Sequence, residues 1–247
     1  MSWSGKGDVL AHYGKFEEAI NAYDQAIKLN SSEPIYWNNK GNALNNQGNY
    51  TEAIKAYDEA IRLNLTESSC WNRKGGALYN QDKYDEAITA YDEAIGLNSS
   101  EPLYWENKGV ALYNQGKYDE AVTAYDEAIK LNSSEPLYWS NKGDALDKLG
   151  RYDEAIKSYN KASEIDPNIS SSIFSKGNSH YNAGEYVAAI RYYDEAIKKD
   201  PKDKYGWYNK ADALRMLHRD SEAKAAYAKA RELGYSGTMT LMEMTTK

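Results

Sequence analysis

Residues 34–67 read PIYWNNKGNALNNQGNYTEAIKAYDEAIRLNLTE, and this stretch decides the fold because its pattern recurs along the chain. Small and aromatic residues fall at helical spacing in two groups, which are Trp37, Gly41, Leu44 and Ala53, Tyr57, Ala60. Between the groups, Asn-Gln-Gly-Asn predicts a turn in which Gly48 adopts a positive φ. Pro34 suits the first turn of a helix. The stretch therefore predicts two helices, A and B, joined by a tight turn.

The pattern recurs every 34 residues without an insertion. The aromatic residue that opens helix B recurs as Phe16, Tyr50, Tyr84, Tyr118, Tyr152 and Tyr186. The predicted repeats are 1–33, 34–67, 68–101, 102–135, 136–169, 170–203 and 204–237, and residues 238–247 open an eighth helix or form a C-terminal cap. Positions are numbered 1 to 34 within a repeat, with Pro34 at position 1 of the second repeat.

Trp, Gly and Leu, then Gly-x-Tyr-x-Glu-Ala, then Tyr and Ala, at these spacings, resemble the tetratricopeptide repeat (TPR). Asp166-Pro167 and Asp200-Pro201 match the family's Asp-Pro ending, whereas the first four repeats have Asn in place of that Asp. The resemblance implies an all-α fold, a right-handed α–α superhelix (TPR solenoid) whose A helices line a concave groove. It also implies a non-catalytic protein-protein interaction scaffold.

Positions 2, 5, 6, 9, 12 and 13 of helix A lie opposite core positions 4, 8 and 11, and in TPR proteins they face the groove. Asparagine dominates positions 6 and 13 although it forms helices less well than Lys, Glu or Gln, which indicates a role beyond helix stability. A carboxamide both donates and accepts, so a row of them can bind the backbone of an extended peptide. The alternative is that repeat duplication copied a harmless asparagine.

The position-6 series resembles the asparagine ladder of the TPR superhelix in O-linked N-acetylglucosamine transferases. The predicted peptide-binding residues are Asn39, Arg73, Asn107, Asn141 and Asn209 at position 6, Asn42 at position 9, Tyr79, Tyr113 and Tyr181 at position 12, and Asn46, Asn80, Asn114 and Asn182 at position 13.

Charge narrows the class of partner. The chain has 30 Lys+Arg against 37 Asp+Glu, a net charge of -7, which argues against nucleic acid and anionic membranes. The carboxylate clamp of TPR cochaperones needs Lys at positions 2 and 5, and neither position carries one here. The helix A positions expected to face the groove are slightly acidic, because they include Asp8, Glu106, Asp144, Asp147 and Asp212. We therefore expect an extended peptide of neutral to basic character.

Two further series recur in the A helices. Glycine at position 8 predicts close packing of paired helices, since no phosphate-loop pattern surrounds it. Lysine occupies position 7 in every repeat, as Lys6, Lys40, Lys74, Lys108, Lys142, Lys176 and Lys210. We expect each lysine stem to cover Trp and reach a carboxylate at position 18, 19, 25 or 26. A cation ladder for a polyanion is the alternative, and the acidic balance disfavours it.

The sequence predicts no catalytic residues, no metal site and no cofactor, because Cys70 stands alone and three histidines share no repeat position. No apolar run reaches signal or membrane length, so the expected location is cytoplasmic. In the seventh repeat, charged residues on the outer side of helix B predict a capping helix. The first repeat begins at Trp3 without a preceding helix, so the alternative function is a structural module that self-associates end to end, or a homo-oligomer through this end.

Overall fold

The computed structural model describes residues 2–63, 67–167 and 170–237. Every regular element in these ranges is a helix. The fourteen helices described are α1 (Trp3–His12), α2 (Phe16–Leu29), α3 (Pro34–Asn46), α4 (Tyr50–Arg62), α5 (Ser68–Tyr79), α6 (Tyr84–Leu97), α7 (Pro102–Asn114), α8 (Tyr118–Leu131), α9 (Pro136–Lys148), α10 (Tyr152–Ile165), α11 (Ser170–Asn182), α12 (Tyr186–Lys199), α13 (Lys204–Met216) and α14 (Asp220–Glu232). The predicted all-α class is confirmed.

The chain forms two compact bodies, an N-terminal body (Met1–Asn132) and a C-terminal body (Ser133–Lys247). The N-terminal body contains α1 to α8, in which odd-numbered A helices pair with the even-numbered B helices that follow them. Within this body, α2, α4 and α6 also pack against the A helices that follow them, and consecutive A helices contact one another. Because only three or four residues join A to B, as between Asn46 and Tyr50, paired helices run antiparallel. This body is a stack of helix hairpins, which is a solenoid.

The C-terminal body repeats the arrangement with α9 to α14. Its pairs are α9/α10, α11/α12 and α13/α14, and α10 and α12 each pack on the following A helix. In the last pair, Ala223, Tyr227 and Ala230 are buried whereas Asp220 and Lys224 are exposed. This division confirms the predicted capping face of α14. Residues 238–247, the predicted eighth helix or cap, lie outside the described residues.

The turn between helices A and B requires a left-handed residue. Gly48 has φ +82°, as predicted, and its amide donates to the Asn45 carbonyl at 2.9 Å. In two turns the residue is not glycine, since Asp82 and His218 have φ +58° and +57°. None of the fourteen described helices combines the length and the hydrophobicity of a membrane-spanning segment.

A glycine and a tyrosine fix the distance between helices A and B. A Cβ built on Gly41 would lie 2.7 Å from Cε1 of Tyr57, closer than carbon atoms pack. Tyr57 is only 1% exposed, so its ring has no room to move away. The same contact recurs at 2.5–2.7 Å in the pairs Gly7/Tyr23, Gly75/Tyr91, Gly109/Tyr125, Gly143/Tyr159 and Gly177/Tyr193. The predicted packing role of position 8 is confirmed.

Candidate functional site

Position 5 of helix A was predicted to face an open groove, but the structure places it away from the open surface. Asn38, Glu106 and Ser140 at this position are 2%, 8% and 7% exposed. The physical reason is stacking, because A helices pack against the helices of neighbouring repeats, and the geometry of a single helix does not include these contacts. Glu106 therefore contributes no exposed carboxylate to the arc.

The position-6 asparagines lie half-buried and bridge adjacent A helices. Nδ2 of Asn39 donates to Oδ1 of Asp8 at 3.1 Å, and Nδ2 of Asn107 donates to Oδ1 of Asn72 at 2.9 Å, both in the N-terminal body. In the C-terminal body, Nδ2 of Asn209 donates to Oδ1 of Asn178 at 3.0 Å. Each of these bonds joins a position-6 amide to the A helix of the preceding repeat. Asn141 is half-buried like these three asparagines, whereas Arg73, the predicted position-6 residue of the third repeat, is exposed.

The predicted residues at positions 12 and 13 form an adjoining row. Asn46, Asn80, Asn114 and Asn182 are exposed, whereas Tyr79, Tyr113 and Tyr181 are half-buried. Each of these tyrosines lies edge-on or tilted against the tyrosine that opens helix B, with ring centroids 5.4–5.5 Å apart. Nδ2 of Asn114 donates to the hydroxyl of Tyr79 at 2.9 Å. The row therefore presents amides beside aromatic rings.

Position 9 has a structural role that the sequence analysis missed. Asn42 Oδ1 accepts a hydrogen bond from the Tyr57 hydroxyl at 2.9 Å, and Asp144 Oδ1 accepts one from Tyr159 at 2.7 Å. The same bond joins Asp8 to Tyr23, Asn178 to Tyr193 and Asp212 to Tyr227. A buried hydroxyl needs a hydrogen-bond partner. The sequence signal that could have revealed this bond is an Asp or Asn 15 residues before the tyrosine. Burial raises the pKa of Asp144.

One cavity in the C-terminal body brings three predicted site residues together. It has a volume of about 260 Å³ and is lined by Asp147, Asn178, Tyr181, Asn182, Tyr193, Asn209 and Asp212. The lining comes from all three A helices of this body, α9, α11 and α13, together with α12. Tyr181, Asn182 and Asn209 were predicted to bind peptide. The two carboxylates give the cavity an acidic character.

Lysines of the position-7 series form ion pairs with the preceding B helices. In the N-terminal body, Nζ of Lys40, Lys74 and Lys108 lies 2.6 Å from the Asp at position 25 of the preceding repeat. In the C-terminal body, Lys210 pairs with Asp194 at 2.5 Å. Each of these ammonium groups also lies 5.0–5.8 Å from the centroid of the Trp three residues earlier. The expectation of a stem that covers Trp and reaches a carboxylate is confirmed.

The sixth repeat departs from this pattern through a set of coupled changes. Ile173 replaces the position-4 Trp, and Tyr192 replaces a small residue of helix B. Nζ of Lys176 lies 4.2 Å from the Tyr192 centroid, and the His180 ring stacks on Tyr192 at 5.1 Å. Burial raises the pKa of Tyr192, but hydrogen bonds and charges from Lys176 and Arg191 bring this pKa below its ordinary value. The aromatic ring under the lysine has thus moved from helix A to helix B.

Comparison with known proteins identifies the repeat. The family profile described as Tetratricopeptide repeat matches residues 5–64, 72–136, 107–168 and 174–236. A search of curated proteins found no match.

Solved structures share the fold. The C-terminal part of a TPR repeat-containing protein from Cytophaga hutchinsonii has a TM-score of 0.81 and 20% identity, covering 93% of this chain and 94% of that one. A crystal structure of MamA has a TM-score of 0.63 and 26% identity, covering 65% and 94%. YrrB, described as a TPR protein with an unusual peptide-binding site, has a TM-score of 0.65 and 20% identity, covering 81% and 98%.

Proposed function

Because this chain belongs to the tetratricopeptide repeat family, whose members are generally non-catalytic protein-interaction scaffolds, we propose that it binds an extended peptide along its A helices. The modules of this scaffold are the seven 34-residue repeats from 1–33 to 204–237. YrrB, which shares the fold, is described as having a peptide-binding site, and this supports the proposal.

The observation that carries the proposal is the fixed orientation of the position-6 amides. Asn107 uses one amide hydrogen on Asn72, so a second N–H and the Oδ1 acceptor remain for a ligand. An amide already oriented by a neighbour loses little entropy when it binds, which favours affinity. Packed helices lie about 10 Å apart, a distance that about three residues of extended chain also span. Position 6 of successive A helices thus suits one contact for roughly every third residue of the peptide, made by an amide in four of the six repeats from the second to the seventh.

The row of half-buried tyrosines and exposed asparagines extends this surface. Tyr79 offers ring area next to the amide of Asn114, and a peptide side chain packed there gains apolar contact without losing polar partners for its backbone. The acidic side chains that remain accessible, such as Asp147, favour a neutral or basic peptide over an acidic one.

Fluorescence anisotropy with labelled peptides of about nine residues, the length that spans three A helices at this spacing, tests the proposal. Acidic, neutral and basic pools are titrated against the full chain and against the double variant Asn39→Ala/Asn107→Ala. Binding of the neutral and basic pools and a loss of about tenfold in the double variant are expected, since two backbone contacts are removed.

The matched control is Asn21→Ala/Asn160→Ala, which removes two asparagines from B helices. Asn72→Ala is a second control, because it removes only the orienting partner of Asn107 and should weaken binding less than Asn107→Ala. A preference for the acidic pool, or equal binding by the Asn39→Ala/Asn107→Ala variant and the wild type, would contradict the proposed function.

The second candidate function, end-to-end self-association, is favoured by apolar exposure on the first helix pair. Trp3, Val9 and Leu29 are 43%, 46% and 76% exposed. If this face joins copies of the chain, light scattering should show mass growing with concentration, and Trp3→Asp/Val9→Asp should abolish the growth. A constant monomer mass would remove this candidate.

A further inference from the structure

We propose that the cavity of the C-terminal body binds the side chain of a lysine or arginine of the peptide. This inference rests on the proposed function, because the peptide backbone delivers the side chain. The occupant is one cationic residue, held between Asp147 on α9 and Asp212 on α13.

The size of the cavity argues for a single side chain. Its volume is about 260 Å³. Pockets for small-molecule ligands run from about 300 to 1,000 Å³, so this cavity lies below that range. The Tyr181 ring contributes apolar wall against which the methylene stem of a lysine or arginine packs.

The charges of the lining residues select a cation. Two carboxylates, three carboxamides and two tyrosines line the cavity, and no lysine or arginine is among them. The pKa of Tyr193 is raised by burial, then by Tyr181, Asp212 and Asp147, and this supports a negative potential inside the cavity.

Asp147 retains the capacity to accept a ligand. Its Oδ1 accepts from Ser179 Oγ at 2.6 Å, and its Oδ2 accepts from Asn182 Nδ2 at 3.4 Å. In the described part of the chain, no lysine or arginine forms an ion pair with it. A carboxylate has about four acceptor positions, so half of its capacity remains for an incoming ammonium or guanidinium group.

Asp212 is the weaker of the two carboxylates for a ligand. Its Oδ1 accepts the Tyr227 hydroxyl and forms an ion pair with Arg215 at 3.4 Å. Arg215 neutralises part of its charge from the same helix. Asp147 is therefore the principal contact, and Asp212 adds a second carboxylate on the opposite helix of the cavity.

The N-terminal body lacks the same combination. Asp147 lies at position 12 of one A helix, and Asp212 lies at position 9 of the A helix two repeats later. The equivalent pairs in the N-terminal body are Ala11 with Gly76 and Asn45 with Val110. The sequence thus places a pair of carboxylates in this register in the C-terminal body and uncharged residues in the N-terminal body. We therefore expect the C-terminal body to bind a basic side chain of the peptide, whereas the N-terminal body binds the peptide backbone.

The test compares three nine-residue peptides that differ only at the centre, where one carries lysine, one carries norleucine and one carries glutamate. Anisotropy with the full chain should give about tenfold tighter binding of the lysine peptide than of the norleucine peptide, the effect of one charge-assisted contact. Asp147→Asn and Asp147→Asn/Asp212→Asn should each reduce that preference, the double variant to near unity.

Glu17→Gln/Glu86→Gln is the matched control, because it changes the net charge equally on exposed B-helix sites and should keep the preference. Asp147→Asn preserves shape and keeps one of the two acceptor oxygens, and a thermal melt of each variant separates the effect of charge from an effect on folding. Equal affinity for lysine and norleucine peptides in the wild type overturns the cation subsite. If the affinities are equal and both fall in Asn39→Ala/Asn107→Ala or in Asn141→Ala, which removes the position-6 amide of α9, the proposed function stands, whereas absence of binding by every peptide overturns both.

Discussion

The N-terminal and C-terminal bodies share one scaffold and differ in the side chains that they add to it. Gly109 against Tyr125 and Gly143 against Tyr159 are the same contact in the two bodies, within 0.1 Å, at 2.6 and 2.5 Å from the added Cβ. The C-terminal body adds the two carboxylates of its cavity and the moved aromatic ring of its sixth repeat. The residues that recur in every repeat thus determine helix packing, whereas the residues that depart from the repeat give each body its own surface chemistry.

The glycine-tyrosine contact that both bodies share can be tested by adding a methyl group to the glycine, which should cause the largest loss of stability. Gly109→Ala and Gly143→Ala place a methyl group inside a buried tyrosine ring, and overpacking of this kind costs about 1–3 kcal/mol. We expect losses of about 2–3 kcal/mol of unfolding free energy in both bodies, measured by urea denaturation.

Gly76→Ala is the control for this experiment. Its Cβ would meet no atom closer than the Tyr91 hydroxyl at 4.0 Å, so the gain in helix propensity should stabilise the chain by about 0.5–1 kcal/mol. Loss of stability in only one of Gly109→Ala and Gly143→Ala would show that the bodies do not share the contact.

The ion pair of the position-7 lysine distinguishes the sixth repeat from the others, and changing it should have a smaller effect on stability. Lys108 has Asp92 as its ion-pair partner, whereas the residue that corresponds to Asp92 before Lys176 is Asn160. Asp92→Asn should therefore cost about 0.2–1 kcal/mol, and Asn160→Asp should add up to a similar amount. Both changes should shrink at 1 M salt, and denaturation at two salt concentrations measures this. A destabilising Asn160→Asp would mean that Lys176 does not leave the Tyr192 ring.

The smallest effect concerns pH. Burial raises the pKa of Asp144, so its ionised form opposes folding and its contribution worsens as pH rises through the shifted range. Asp144→Asn should therefore stabilise the C-terminal body at pH 7 by about 0.5 kcal/mol or less, and this gain should vanish as pH falls below the ordinary aspartate pKa near 3.9.

The reverse change is available in the N-terminal body, where Asn42→Asp should destabilise at pH 7 and recover in acid. Thermal melts across pH 3 to pH 8 measure both. A gain from Asp144→Asn that persists unchanged below about pH 3 would rule out ionisation as its cause.

The fold followed from the sequence because each of its determinants acts within one repeat. Gly41 and Tyr57 identify the A–B contact, and Gly48 identifies the turn, without knowledge of any neighbouring repeat. The capping face of α14 followed from charges placed on one side of a single helix.

The details of the site did not follow, because they depend on what the neighbouring helix does. Burial of Asn38 comes from stacking, which a single helix cannot reveal. The bond from Asn107 to Asn72 spans two repeats, so position 6 looked free in the sequence. The exchange of Trp for Ile173 and of a small residue for Tyr192 is visible only when both changes are considered together.

The glycine-tyrosine contact lies inside each hairpin, while the amide bridge joins a hairpin to its neighbour through side chains that recur at equivalent sites. A segment of 34 residues can accordingly be excised or inserted as a cassette, because its interior stays intact and both new junctions meet compatible edges. Lineages or engineers can in this way lengthen or shorten the array without redesigning a core, whereas a gain or loss of any other length shifts every downstream junction out of phase.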